Sequence, residues 1–378
     1  MKKIFAMLLA LAMVFALVAC SGGDNKAAED KPIKIGVLVA DVSGEEALGF
    51  RAYYENYIAK NYNVTFTYTE QLADAAAEKS AIEKFAAQGY DAILSLSSAD
   101  RATQIETAAA NKLYYAVVSG MLDDAQFEQY KSNEYFVGQV GPSMDTEFEA
   151  GYAMGKHFAN QGVKTVGIYG AFIPNPMHVY RTAGVLAGLG CTYGGASDKD
   201  GIAGQLFGDQ GVDMSKVACT NVQVIGYFQG FGDTTFDELF AIVGQTPDAF
   251  LSVGMATTFF ADALNGAKIP YADIDSFTTG NAANMKDGTL VYLAGKYSSS
   301  IGPIFAATMN AVKGNPIRDE NGNAISLSQN YLVATDSATF DSIFNGDKGD
   351  NPIFNKEALD KVIGKVSYSD FAALVASK

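Results

Sequence analysis

From residue 33 onward the chain alternates between two kinds of apolar pattern. Residues 33–40 form a near-continuous apolar run ending at Asp41, the mark of a parallel strand buried on both faces. Gly44 and Glu45 then open a helix in which Phe50, Tyr53, Tyr54, Tyr57 and Ile58 recur at helical spacing, a stripe that reads as core. Residues 64–68 alternate as a strand, 75–88 form a helix that stops at Gly89, 91–97 are a strand, 99–111 a helix and 114–119 a strand. A second series follows 138–142: helix 146–160, strand 164–170, helix 177–189, strand 222–228, helix 235–243, strand 249–253, helix 257–265, then short strands 276–279 and 289–293. The Gly/Asp-rich stretch between Cys191 and Cys219 lacks periodicity and reads as an irregular insertion. In the tail, 301–312 is a helix, and 316–327 reads as a hairpin about Asn321-Gly322, a strong turn signal. A strand at 329–334 and two helical patches complete the chain. Strands separated by single helices imply right-handed βαβ units. The fold class is therefore α/β, with two doubly wound parallel-sheet domains.

The first twenty residues follow another pattern. Lys2 and Lys3 precede an uncharged apolar run, 4–19, that is short for a bilayer span of about 20 residues. A basic start, an apolar run and small residues at its end describe a secretory signal. Leu17-Val18-Ala19-Cys20-Ser21-Gly22 resembles the bacterial lipoprotein lipobox. That resemblance implies removal of 1–19 and a diacylglyceryl group on Cys20, two acyl chains being enough for stable anchoring. Residues 20–32, small and polar, read as the lipidated Cys and a flexible tether. About 345 residues remain from Ile33, more than one hydrophobic core usually serves.

Composition narrows the chemistry. The formal charge of −15 argues against nucleic acid, whose phosphates demand Lys/Arg patches. Two histidines, His157 and His178, with no Cys/His cluster, argue against a zinc site, and nothing calls for a cofactor. Cys191 and Cys219 either pair outside the cell, worth roughly 3.5 kcal/mol in the chain-entropy model, or remain two buried thiols.

The arrangement, with Ile35-Gly-Val-Leu-Val39, Ala86-Ala-Gln-Gly-Tyr-Asp-Ala-Ile-Leu94, Glu149-Ala-Gly-Tyr-Ala-Met-Gly155 and Tyr180-Arg-Thr-Ala-Gly184, resembles the type 1 periplasmic-binding-protein family. These are substrate-binding lipoproteins of ABC importers, related to ribose- and galactose-binding proteins. The basic-membrane-protein group, several of which take nucleosides, is a close second. The resemblance implies two lobes joined by a three-strand hinge, with crossovers near 139–143, 296–298 and 329–334. It places 33–139 with 298–330 in one lobe and 140–297 with 331–378 in the other. It also implies a monomer that closes on a small ligand, hands it to ABC permease subunits, and touches the membrane through its lipid only.

Cleft residues follow from the strand ends, where helix N-termini and loops converge. In the first lobe these are Asp41, Ser43, Ser97, Ser98, Asp100 and Arg101, with helix capping as the alternative role for Asp41 and Ser97. In the second they are Phe172, Asn175, His178 and Arg181. Arg181 matches a ligand-contacting Arg of sugar-binding relatives or else serves an interdomain salt bridge. Phe228 and Phe231 either stack on a sugar or base or pack in the core. Asn281 stands where sugar-binding relatives have an Asp. Lys296 and Tyr297 are further lining candidates. A neutral sugar or polyol is the first expectation for the ligand and a nucleoside the second.

An enzyme is the rival reading. The sequence has no Gly-x-Ser-x-Gly elbow, no phosphate-binding loop and no His-Glu-x-x-His. The run 319–323 resembles an EF-hand start but lacks the closing Glu. A sensor that signals to a membrane kinase would share the fold and differ only in its partner.

Overall fold

In the computed structural model, residues 31–231 and 234–377 are described; Cys20, the residues before it and most of the tether lie outside them. The strands are β1 (Ile33–Val39), β2 (Val64–Tyr68), β3 (Ala92–Leu96), β4 (Tyr114–Val118), β5 (Phe136–Gly141), β6 (Thr165–Tyr169), β7 (Cys191–Tyr193), β8 (Val217–Cys219), β9 (Gln223–Phe228), β10 (Ala249–Ser252), β11 (Tyr271–Ser276), β12 (Leu290–Lys296), β13 (Ile325–Ser328) and β14 (Leu332–Ala334). Twelve of them build two six-stranded sheets, ordered β2-β1-β3-β4-β5-β13 and β9-β6-β10-β11-β12-β14, and β7 and β8 form a separate antiparallel pair. Within the two large sheets pairing is parallel except at β14, which runs antiparallel to β12. Both sheets thus repeat one doubly wound order, and each has a switch point beside its first strand, between β1 and β3 and between β6 and β10.

The chain crosses between lobes after β5, after β12 and between β13 and β14, the three-strand hinge the sequence led us to expect. The tail departs from expectation. Helix Ser337–Gly346 packs on β14 and on helix Thr279–Asp287 of the second lobe. Helices Lys356–Asp360 and Tyr368–Ala376 then return to the first lobe, packing on helix Gly302–Val312 and, for the last of them, on β13. The assignment of all of 331–378 to the second lobe is corrected accordingly. The reason is aromatic anchoring. The helix Glu45–Ala52 continues through a π-helical stretch, Tyr53–Ile58, to Asn61. Its Tyr53 hydroxyl donates to Phe354 O at 2.6 Å, and the Tyr57 hydroxyl accepts from Lys356 N at 2.7 Å. Tyr53, Tyr54 and Tyr57 are all buried, as a helical stripe should be.

Three further elements differ from expectation. No hairpin forms about Asn321-Gly322. The turn is there, with Gly322 N donating to Asp319 O at 3.0 Å, but β13 pairs in parallel with β5 rather than with the residues before the turn. The proposed strand 276–279 is instead the end of β11 and the start of helix Thr279–Asp287. The supposed irregular insertion holds helix Lys199–Asp209 and the β7–β8 hairpin, in which Cys191 and Cys219 sit opposite one another and are disulfide-bonded.

One helix pair sets the geometry of the site. Helices Met144–Asn160 and Pro176–Gly188 cross at Gly151, Gly155, Gly184 and Gly188. A Cβ on Gly151 would collide with the carbonyl oxygen of Arg181, and one on Gly184 with that of Phe148. Only hydrogen at these positions permits the backbones to approach so closely. That approach brings Glu147 and Arg181 together.

Candidate functional site

A cleft of about 550 Å³ lies between the lobes, where the carboxyl ends of the strands of both sheets face one another. The first lobe supplies Asp41, Gly44, Glu45 and Glu46 from the loop after β1 and the helix that follows. The second supplies most of the wall. Met177, His178 and Arg181 come from the helix after β6, Gly254 and Met255 from the turn after β10, Thr257 and Thr258 from the helix that turn opens, Asp275 from the end of β11 and Lys296 from the end of β12.

The most buried charged side chain of the lining is Arg181, at 4 % exposure. Its Nε donates to Glu147 at 2.6 Å, Nη1 to Val253 O at 2.7 Å and Ile274 O at 3.2 Å, and Nη2 to the Tyr331 hydroxyl at 2.6 Å. Tyr331, in the third crossover, in turn donates to Glu147 at 3.0 Å. Arg181 therefore reaches the cleft wall with its charge already matched. The salt-bridge role weighed for it is present, though within the second lobe and onto the hinge. Removing one member would strand a buried charge, which is strongly destabilising.

His178 packs beside it. Burial, reinforced by the neighbouring guanidinium, pushes the imidazole down to about 4, so the ring is neutral near pH 7. Its Nδ1 lies 3.1 Å from Phe172 N, which donates to it.

The first lobe touches the second through two adjacent carboxylates. Glu45 accepts from Thr279 N at 2.6 Å and from the Thr279 hydroxyl. Glu46 accepts from the Ser276 hydroxyl and lies 3.9 Å from Lys296 Nζ. Asp41 accepts from Ser43 N at 2.9 Å and Gly44 N at 3.1 Å. The bond from Ser43 N–H is the main reason its carboxyl sits below the usual range.

Asp273 and Asp275 lie two apart on β11. Asp273 is fully buried and accepts from Ala256 N at 2.7 Å, at the start of helix Ala256–Ala267. Asp275 reaches the cleft and has no hydrogen-bond or ion-pair partner among the described residues. Burial raises both carboxyls above the ordinary range, and their mutual repulsion raises Asp275 further, with Glu46 adding to it.

Of the residues expected from sequence, Asp41, His178, Arg181 and Lys296 line the cleft. Ser43 and Asn175 stand next to it in local roles: Ser43 donates to Asp41, and Asn175 caps helix Pro176–Gly188 by accepting from Met177 N at 3.0 Å. Phe172 and Phe231 are about half exposed, at 50 % and 53 %, outside the cleft lining. The remaining expectations are corrected. Phe228 is core, packed against Tyr169, Phe250 and Phe260. Asn281 is fully buried and donates to Ser276 O at 2.7 Å, holding the turn before its own helix. Tyr297 is buried and stacked on Phe354.

Ser98, Asp100 and Arg101 are absent from the lining for a specific reason. Buried Glu78 fills the space at the end of β3, accepting from the Ser97 hydroxyl and from Ala99 N and Asp100 N, both at 2.9 Å. Asp100 caps its helix by accepting from Thr103 N at 3.0 Å, and Arg101 donates to Met121 O at 2.7 Å.

Sequence reasoning missed Glu45, Glu46, Thr257, Thr258 and Asp275. The retrievable signal was Asp273-Ile274-Asp275, two acids at strand spacing beside an apolar run, which mark a strand carrying charge toward a site.

No family model matches the chain, and no curated protein matches it. Solved structures do. The periplasmic binding component of an arabinose ABC transporter from Shewanella sp. ANA-3, bound to α- and β-L-arabinofuranose, superposes with a TM-score of 0.57 at 16 % identity, covering 81 % of this chain and 93 % of that one. An ABC transporter solute-binding protein from Bacillus halodurans C-125 with bound myo-inositol gives 0.59 at 14 % identity, covering 83 % and 98 %. A Mycobacterium smegmatis protein in complex with β-D-fucofuranose gives 0.59 at 12 % identity, covering 91 % and 98 %. At such identities the likeness is one of fold, and the fold is that of a type 1 periplasmic binding protein.

Proposed function

We propose that the protein is an extracytoplasmic solute-binding lipoprotein of an ABC importer. It captures a small hydroxylated ligand, a sugar or polyol, by closing its lobes, and delivers it to a permease without chemical change. The observation that carries this reading is the interlobe cleft. Its volume falls within the range of small-molecule sites, it opens at the switch points of two sheets, and its walls present carboxylates, hydroxyls and an ammonium that match hydroxyl groups. The fold neighbours bound to arabinofuranose, myo-inositol and fucofuranose support the ligand class. The lipobox-like start supports attachment at Cys20. No helix among the described residues is long and apolar enough to cross a membrane, which suits anchoring by lipid.

A thermal-shift screen of the purified protein against pentoses, hexoses, polyols and nucleosides tests the assignment. A ligand at 100 times its Kd adds about 2.7 kcal/mol of stability, enough to raise the melting temperature visibly. Shifts with inosine or adenosine and with no sugar or polyol would move the protein to the nucleoside-binding class. Consumption of a glycoside above background would overturn the non-enzymatic reading.

A further inference from the structure

Among the described residues, four helices begin at the cleft wall, and a helix N-terminus is the usual place for an anion. Here the leading donors of three of them are engaged by the protein itself: Asn175 takes the amide of Met177, Asp273 that of Ala256, and Glu45 that of Thr279. Two of those three partners are carboxylates. At the fourth, helix Glu45–Ala52, no side chain caps the first turn, but its first residues are Glu45 and Glu46, and Asp41 takes the two amides just before it. An entering anion would find these donors occupied and negative charge beside them.

The balance of side-chain charge points the same way. Four carboxylates line the cleft, Asp41, Glu45, Glu46 and Asp275, against two cations, Arg181 and Lys296. Arg181 is matched by Glu147. Lys296 lies 3.9 Å from Glu46, too far for a tight contact. Of the four carboxylates, Asp275 alone has no bonded partner among the described residues, and it is partly buried and repelled by Asp273 and Glu46. An unpaired carboxylate in a partly dry cavity is costly until a cation or a donor reaches it.

We propose that the cleft selects a sugar or polyol bearing a protonated amine, with Asp275 and Glu46 receiving the ammonium while the hydroxyl groups meet Thr257, Thr258 and Asp41. This rests on the solute-binding reading and specifies the ligand class within it. A neutral hydroxyl could donate to Asp275 but would leave the excess negative charge in place; an ammonium supplies donors and charge together.

The test is calorimetric titration of the purified protein with matched sets: D-glucosamine, D-galactosamine and D-mannosamine, their N-acetyl forms, and the parent hexoses. The amine member of any set that binds should be at least about tenfold tighter than its parent, and N-acetylation should abolish the advantage. In Asp275→Asn, which keeps shape and removes charge, the amine-to-parent affinity ratio should collapse toward one. In Lys296→Met, which removes the competing cation, the ratio should rise. Melting curves verify that both variants fold. Parent hexoses binding as tightly as their amines, or a ratio unchanged in Asp275→Asn, overturns the amine proposal and leaves the sugar-binding reading standing. Silence from every amine at millimolar concentration also overturns it, and if the parents and polyols are silent too, the solute-binding reading falls with it.

Discussion

His178 shows how far environment moves a residue from its expected part. It was expected as a polar ligand contact, and it does line the cleft, yet burial and Arg181 keep it neutral and its Nδ1 is turned to Phe172. A folded-state value of about 4 against the ordinary 6.5 means the unfolded chain binds more protons at this residue between those two values. Stability contributed by the neutral ring is therefore complete above pH 6.5 and is lost as pH falls toward 4, by up to about 3 kcal/mol. Asp273 and Asp275 act with the opposite sign. Their raised carboxyls bind protons in the folded state first, so their contribution grows as pH falls through the folded value. Denaturant titrations of wild type and His178→Gln at pH 7 and pH 4.5 separate the two. The variant should lose less stability between those pH values, and equal losses would show that His178 does not titrate as described.

At the scale of elements, the glycine crossing of helices Met144–Asn160 and Pro176–Gly188 governs whether Glu147 and Arg181 can meet. Gly184→Ala places a methyl on the Phe148 carbonyl, so the helices must part or tilt. We expect a loss of about 1–3 kcal/mol in chemical denaturation, the usual cost of overpacking, whereas Gly204→Ala, with open space around it, should be neutral or slightly stabilising. Equal effects at the two positions would remove the close crossing from the account. The repeating strand–helix pattern was legible in sequence because continuous apolar runs report strands buried on both faces, as in β1, β3 and β4. β11 was not, because Asp273 and Asp275 interrupt its apolar pattern, and the burial of Asp273 makes sense only once the amide of Ala256 is seen against it. Ser98, Asp100 and Arg101 failed as site residues for a related reason. Their loop's donors go to Glu78, 19 to 22 residues earlier in the chain, a pairing no local pattern announces. Where strands β1 and β6 were placed to within a residue, the expected residues in the segments after them, Asp41, His178 and Arg181, do line the cleft.

For the whole molecule, the contact of Glu45 with Thr279 ties one lobe to the other without a ligand between them. A charge-assisted hydrogen bond between two exposed residues such as these is worth at most about 1.5 kcal/mol, which changes the ratio of closed to open forms by up to about tenfold. Small-angle scattering should show a larger radius of gyration for unliganded Glu45→Ala than for wild type, with the difference erased when a saturating ligand closes both. Identical radii in the unliganded state would mean that the lobes are held by other contacts.

The division of labour across the cleft has a further consequence, in time rather than space. The second lobe provides most of the lining, and the first offers only Asp41, Gly44, Glu45 and Glu46, its other strand end being plugged by Glu78. Under the solute-binding proposal, a solute arriving at the open molecule would meet its recognition groups on one wall. Capture and closure would then be separate events, a catch followed by a lid. The rate of capture would belong to the chemistry of the second lobe, and the dwell time before release to how long two neighbouring glutamates keep the first lobe down.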